Sequence, residues 1–133
     1  MIINITERTT IRDIQIKFNK EYPFLKIEFS DKPHKSGQPT KGGHWLYNGY
    51  KILHLAKKHH PGWIIIHPWH RTDYIEQQFA ARFGLYAQVF RNNNQIWIET
   101  AGTDVLSLEE QNEIGKRMKK DLDLYWRERE MLL

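Results

Sequence analysis

Five histidines stand close together in the chain, His54, His59, His60, His67 and His70, with Asp73 just beyond them. Neutral imidazole nitrogens joined by a carboxylate form a usable ligand set for zinc or another first-row metal. His67 and His70, with His59 or His60, are the residues that would hold it, and His67-x-x-His70 could chelate if the chain turns there. No pair has the i, i+4 separation of a helical zinc motif, and His59 and His60 point to different faces of any helix. Surface or dipole-capping histidines account for the same pattern, so no metal and no other cofactor is assigned.

A second group is aromatic and basic. Trp45, Tyr47, Tyr50, Trp63 and Trp69 interleave with Lys41, Lys51, Lys57, Lys58 and Arg71. Single-stranded nucleic acid uses such a mixture, its bases stacking on rings while cations follow the phosphates, but no RNA-binding signature accompanies it. Rings that fill a core are the plain alternative. The binding candidates taken from the group are Trp45, Tyr47, Tyr50, Lys57, Lys58, Trp69 and Arg71. Other chemistry lacks its motifs: there is no G-x-x-x-x-G-K-[ST] loop and no G-x-S-x-G elbow. Ser30, Ser36 and Ser107 have no activating neighbours in sequence, and the sequence identifies no acid or base to work with a Glu99–Asp104 carboxylate pair, so no catalytic residue is assigned.

The elements that must position these groups are clearest from 62 to 100. Trp63 to Ile66 is apolar on both faces and reads as a central strand, ended by Pro68. Thr72 is the expected N-cap of a helix with Asp73 and Glu76 in its first turn and Ile75, Phe79 and Phe83 on one stripe. Gly84 stops it as a left-handed residue would. Strands Leu85 to Arg91 and Gln95 to Thr100 then flank a turn at Asn92-Asn93-Asn94.

The first thirty residues repeat the plan. Ile2 to Ile5 alternates as a strand; Thr9 or Thr10 caps a helix with Ile11, Ile14, Phe18 and Tyr22 on its stripe, Thr10 and Asp13 forming a loose capping box. Pro23 ends that helix, and Phe24 to Ser30 alternates again. A shift of 61 residues lays Ile3 on Ile64, Ile5 on Ile66, Ile14 on Ile75, Phe18 on Phe79, Tyr22 on Phe83 and Phe29 on Phe90. Between the units, 31–61 is rich in Gly, Pro, Lys and His and reads as a mobile insert, with a short helix from Lys51 to His60. A third helix begins at the Ser107-x-x-Glu110 capping box and runs to about Glu130, with Leu108, Met118, Leu122 and Tyr125 on one stripe and close packing expected at Gly115. An apolar tail, Trp126, Met131, Leu132 and Leu133, could fold back or meet a partner.

Phe83-Gly84-Leu85, Gln88 to Arg91, Ile96 to Thr100, Thr103-Asp104 and Leu108 to Asn112 resemble the C-terminal part of a family of small uncharacterised bacterial proteins. The likeness is firmest over 63–115, looser over 1–30, and fails in the insert. It implies an architecture and no activity.

Composition bounds the rest. The chain of 133 residues has a net charge of +4, with 1–66 at +6 and 67–133 at −2. Such asymmetry fits an anion-facing side or simply a lysine-rich loop facing an acidic helix. Zero cysteines exclude disulfides and thiolate metal sites. No apolar run approaches a membrane span, and the first residues lack a signal-peptide order, so a cytoplasmic address is expected. The expected fold is a single α+β domain: a duplicated β-α-β, ferredoxin-like mixed sheet of about five strands, two helices on one face and a long C-terminal helix. The expected function is a small non-enzymatic binding or adaptor module acting through protein contacts. The alternatives are a nucleic-acid-binding module using 41–71 and a hydrolytic histidine metal site.

Overall fold

The computed structural model describes residues 1–32, 45–58 and 60–131. Residues 33–44 of the insert, with Lys41 among them, and His59, Leu132 and Leu133 lie outside the described residues. The elements run β1 (Ile2–Ile5), α1 (Ile11–Glu21), β2 (Leu25–Ser30), α2 (Ile52–Leu55), β3 (Gly62–Ile65), α3 (Thr72–Phe83), β4 (Tyr86–Asn93), β5 (Ile96–Glu99), a 3₁₀ turn (Ala101–Thr103) and α4 (Leu108–Met131). The fold is α+β, with five strands and four α-helices described.

In place of one mixed sheet, the described strands form two sheets, β1-β3 and β2-β4-β5, and every pairing is antiparallel. β3 is therefore not the central strand its apolar run suggested. Its inner side chains, Ile64 and Ile66, are buried, while Trp63 is 53% and Ile65 45% exposed. Lys17 of α1 donates to the outward Ile2 carbonyl and Arg82 of α3 to that of Trp63, so cations cover both open edges.

One core joins the two sheets to α1 and α3. Ile3, Ile5, Ile64 and Ile66 meet Ile14, Phe18, Ile75 and Phe79, and Leu25, Ile27, Phe29, Ala87 and Val89 close it from the second sheet. Phe29 and Phe79 touch edge to face at 5.0 Å. The 61-residue register holds through both helices but slips in the strand that follows. Phe29 faces the core opposite Ala87, whereas Phe90 stands opposite Lys26 and is half-buried on the outer face. A one-residue slip reverses every side chain of a strand. The cause is local: Pro23-Phe24 separates Tyr22 from Leu25, whereas Gly84 alone separates Phe83 from Leu85, so Leu25 corresponds to Leu85.

Terminal details follow the local chemistry. Thr10 and Asp13 form a complete capping box, as do Ser107 and Glu110. Gly84 is left-handed at φ 63°. Thr72 is not the cap of α3; Arg71 holds that position without a side-chain capping bond, and the Thr72 hydroxyl donates to Leu106 O at 2.8 Å. The β4–β5 turn is Asn94-Gln95, both at positive φ, one residue later than expected. The helix foreseen over Lys51 to His60 closes after one turn at Leu55.

Helices α1 and α3 receive their first turns in the same way. Ile11 and Arg12 N–H donate to Tyr50 O and Asn48 O; Thr72 and Asp73 N–H donate to Leu106 O and Asp104 O. The return bonds match as well, Ile52 N to Thr9 O and Leu108 N to His70 O. The segments before α2 and α4 therefore satisfy the orphan donors at these two helix starts.

Candidate functional site

The site begins with alternation along β3. Side chains two residues apart share a face, so Trp63, Ile65 and, past the strand end, His67 point outward while Ile64 and Ile66 point to the core. Ile2 stands directly across from Ile65 and is 49% exposed. Arg82, reaching the Trp63 carbonyl, holds the far end of this stripe.

The chain turns sharply after β3. His70 N–H donates to His67 O at 3.0 Å, and His67 N–H donates to His70 Nδ1 at 2.9 Å. With Nδ1 accepting, the neutral His70 ring carries its proton on Nε2. Burial first, then the neighbouring His67 and the amino terminus, pull the His70 pKa below 6.5. The turn gathers rings: His67 stacks on Trp69 at 4.9 Å and 7°, Trp69 meets His70 at 4.4 Å, and His70 meets Tyr74 at 4.6 Å. Trp69 remains 68% exposed. Arg71 binds Asp73 through two nitrogens, at 3.1 and 2.8 Å, and this bond raises its pKa. Trp69, His70, Arg71 and Tyr74 line an open hollow of about 420 Å³. Its chemistry is stacking and N–H donation.

The expected binding residues separate into several places. Trp69 and Arg71 meet here, joined by His67, His70 and Tyr74. Trp45 bridges Ser30 at the end of β2 and packs on Phe90 at 5.3 Å. Tyr47 and Tyr50 pair with each other at 5.3 Å, and the Tyr50 carbonyl caps α1. Lys57 lies over Tyr86, and Lys58 donates to Ala81 O near the end of α3. Ala81 and Arg71 are about 15 Å apart along that helix at 1.5 Å per residue, so Lys58 and Arg71 do not line one short groove. His67 and His70 approach within 5.1 Å, but among the described residues no three His, Asp or Glu side chains converge as a metal-binding group. His59 is outside the described residues.

The buried polar residues beneath this corner were only partly foreseen: Asp73 as a possible ligand, Glu76 as a first-turn carboxylate and Asp104 as one of a carboxylate pair, while Gln88 and Gln111 were given no role. Asp73, Glu76, Gln88, Asp104 and Gln111 are all buried. The Glu76 carboxyl accepts Val89 N–H at 2.9 Å, and burial, with Asp104, Asp73 and Glu99 adding, lifts its pKa to about 8. Glu76 sits on the stripe side of α3 with Phe79 and Phe83, and an i, i+3 check against that stripe would have flagged it as inward.

Comparison with family models, with curated proteins and with solved structures finds no match. Among the described residues no helix is long and apolar enough to cross a membrane.

Proposed function

We propose that this chain is a small non-enzymatic binding module that acts through protein contacts, with Ile2, Trp63, Ile65, His67 and Trp69 as its docking stripe. One observation carries it: on the outward face of the β1-β3 ribbon Ile2, Trp63 and Ile65 are exposed apolar side chains, with Asn4 across from Trp63, and the alternation runs on to His67, whose ring stacks on Trp69 in the turn that follows. Contiguous exposed apolar surface of this kind marks interaction sites. Large rings with a polar tip, such as Trp63 and Trp69, are favoured as anchors. The ring-and-donor hollow beside Arg71 favours one second reading, stacking of a single-stranded nucleic acid. A cytoplasmic address and kinship with the small bacterial family belong to the same proposal.

An internal duplication of ferredoxin-like type is also part of it. The order β-α-β-β-α-β of β1 to β4 supports it, with α2 in the connection. So does the register: Ile3 pairs with Ile64 at an offset of 61 and Glu28 with Gln88 at 60, as expected for two copies about a two-fold. The matched helix-start bonds point the same way.

The test compares wild type with Trp63→Ser, Trp69→Ser and a Tyr47→Ser control, each shown to be folded, in affinity capture from the native host. A protein held by wild type and the control but lost from both tryptophan variants is the expected result. Equal capture by all four would refute the stripe. A labelled single-stranded oligonucleotide held at low salt, and lost with Trp69→Ser, would select the second reading.

A further inference from the structure

The segment before α2 holds the one Asn-Gly step of the sequence, Asn48-Gly49. These are the central residues of a tight turn, closed by Tyr50 N–H donating to Tyr47 O at 3.2 Å, and all four residues are exposed. The glycine is not there for a positive φ. It is there for the Tyr47 ring, whose Cε1 would lie 2.5 Å from a Cβ at this position. Every other asparagine is followed by a residue with a side chain, as in Asn19-Lys20 and Asn112-Glu113. Those two also commit their amides, Asn19 to Leu25 O and Asn112 to Phe24 N–H. Among the described residues neither the Asn48 amide nor the Gly49 N–H has a hydrogen-bond partner. The Asn48 amide carbon thus adjoins an unhindered, unbonded backbone nitrogen on an open turn.

We infer that Asn48 is a site of self-modification, where the chain converts its own amide to aspartate and isoaspartate and so alters the start of α1. The Gly49 nitrogen loses its proton to solvent and attacks Asn48 Cγ. The N–Cγ bond forms, the Cγ–Nδ2 bond breaks, and ammonia leaves with a proton from solvent, closing a five-membered imide. One water then opens the ring. Attack at Cγ leaves an ordinary aspartate, whereas attack at the main-chain carbonyl carbon leaves isoaspartate. The two products act differently on α1. The Asn48 and Tyr50 carbonyls accept the Arg12 and Ile11 N–H groups, two of the orphan donors of that helix. Aspartate keeps this backbone and sets a carboxylate near the positive end of an 11-residue helix, in the hollow that position 48 shares with Arg12. Isoaspartate takes the Asn48 carbonyl out of the main chain and adds a methylene to it, so the segment can no longer meet both N–H groups together. The same bonds fix the turn, so the attack proceeds from its local opening.

The test ages the full chain at mildly alkaline pH and follows it by peptide mapping, with an isoaspartyl methyltransferase and a labelled methyl donor to count isoaspartate. Conversion is expected at position 48 before any other asparagine, with both products formed, and it should be lost in Asn48→Gln and in Gly49→Ala. Its rate should lie within about tenfold of that in the urea-unfolded chain, because exposed loops open at little cost. A slower rate than that, or earlier conversion of another asparagine, overturns the site. The isoaspartate fraction, purified from the aged protein, should melt below fresh wild type, while Asn48→Asp should melt with it or above it. An isoaspartate fraction that melts with wild type overturns the link to α1.

Discussion

The Glu76 carboxyl accepts the Val89 N–H at 2.9 Å, standing where a strand partner would be as β5 turns away from β4. β5 pairs as far as Phe90 with Glu99; beyond that the Thr100 N–H and hydroxyl both donate to the Val89 carbonyl. Glu76 thus completes the ladder from a helix. Because burial raises its pKa from 4.5 to about 8, the native protein keeps the proton that the unfolded chain releases. The native state binds more protons between these values, so this group's contribution to stability falls as pH rises through that window and is level above it.

Glu76→Gln retains an acceptor for Val89 and removes the titration. The variant should gain on the order of 4 kcal/mol relative to wild type on going from pH 4 to pH 8. Urea denaturation at the two pH values measures it. A stability difference that does not change with pH would show that Glu76 is not held protonated.

His70 has the opposite sign. Its folded pKa lies below 6.5, so the unfolded chain binds more protons in the interval between the two values. The stability it contributes is complete above about pH 6.5 and is lost as pH falls toward the folded pKa. Protonating Nδ1 also removes the acceptor for His67 N–H. The groups facing it are His67, the amino terminus, Trp69, Arg71 and Tyr74. An NMR titration of the His70 ring should show a midpoint below 6.5, with the His67 amide resonance moving in step. A midpoint at or above 6.5 would contradict the turn geometry.

How much of this was legible depended on range. The two capping boxes, the stripes Ile14-Phe18 and Ile75-Phe79-Phe83, and the left-handed Gly84 were readable because each is decided within one turn of helix. The division into two sheets was not, because an apolar run such as Trp63 to Ile66 is the same whether its outer face meets a layer or solvent. The slip after Tyr22 was hidden for a related reason: Pro23-Phe24 and Gly84 both end a helix, and only the strand pairing shows that they differ by a residue. At the site, chelation by His67-x-x-His70 was conditional on a turn; the chain does turn there, and what its hydrogen bonds make is a His67 N–H to His70 Nδ1 contact. Glu76 was read as a first-turn carboxylate on the dipole; its i, i+3 relation to Phe79 placed it on the inward side, but the partner it meets there, Val89 N–H, is distant in sequence.

Phe79 joins α3 to the three-stranded sheet: it is fully buried and lies edge to face on Phe29 of β2. Phe79→Ala should cost about 3–5 kcal/mol through lost transfer energy and the cavity left behind. An unchanged melting temperature would contradict the packing of α3 between the sheets.

Two glycines replaced by alanine should change stability in opposite directions. In the middle of α4, alanine at 115 would gain about 1 kcal/mol of helix propensity. Its Cβ, however, would stand 2.8 Å from Phe24 Cβ and 3.0 Å from Asn92 O. Neither neighbour can give way easily. Asn92 N–H donates to Phe24 O at 2.8 Å, and Phe24 N–H donates to the Asn112 side chain of the same helix at 2.9 Å. Forcing a methyl into such a contact costs about 1–3 kcal/mol, so Gly115→Ala should be a net loss of up to about 2 kcal/mol. Gly102 has nothing within 4 Å of its would-be Cβ and no positive φ. There alanine only restricts the unfolded chain, and Gly102→Ala should gain about 0.4–1 kcal/mol. Urea unfolding of the two variants against wild type separates these outcomes, with the unfolding slopes compared to confirm a common denatured state. A Gly115→Ala protein more stable than wild type would mean that α4 stands off the sheet, and that its seam is not set by the contact at Phe24.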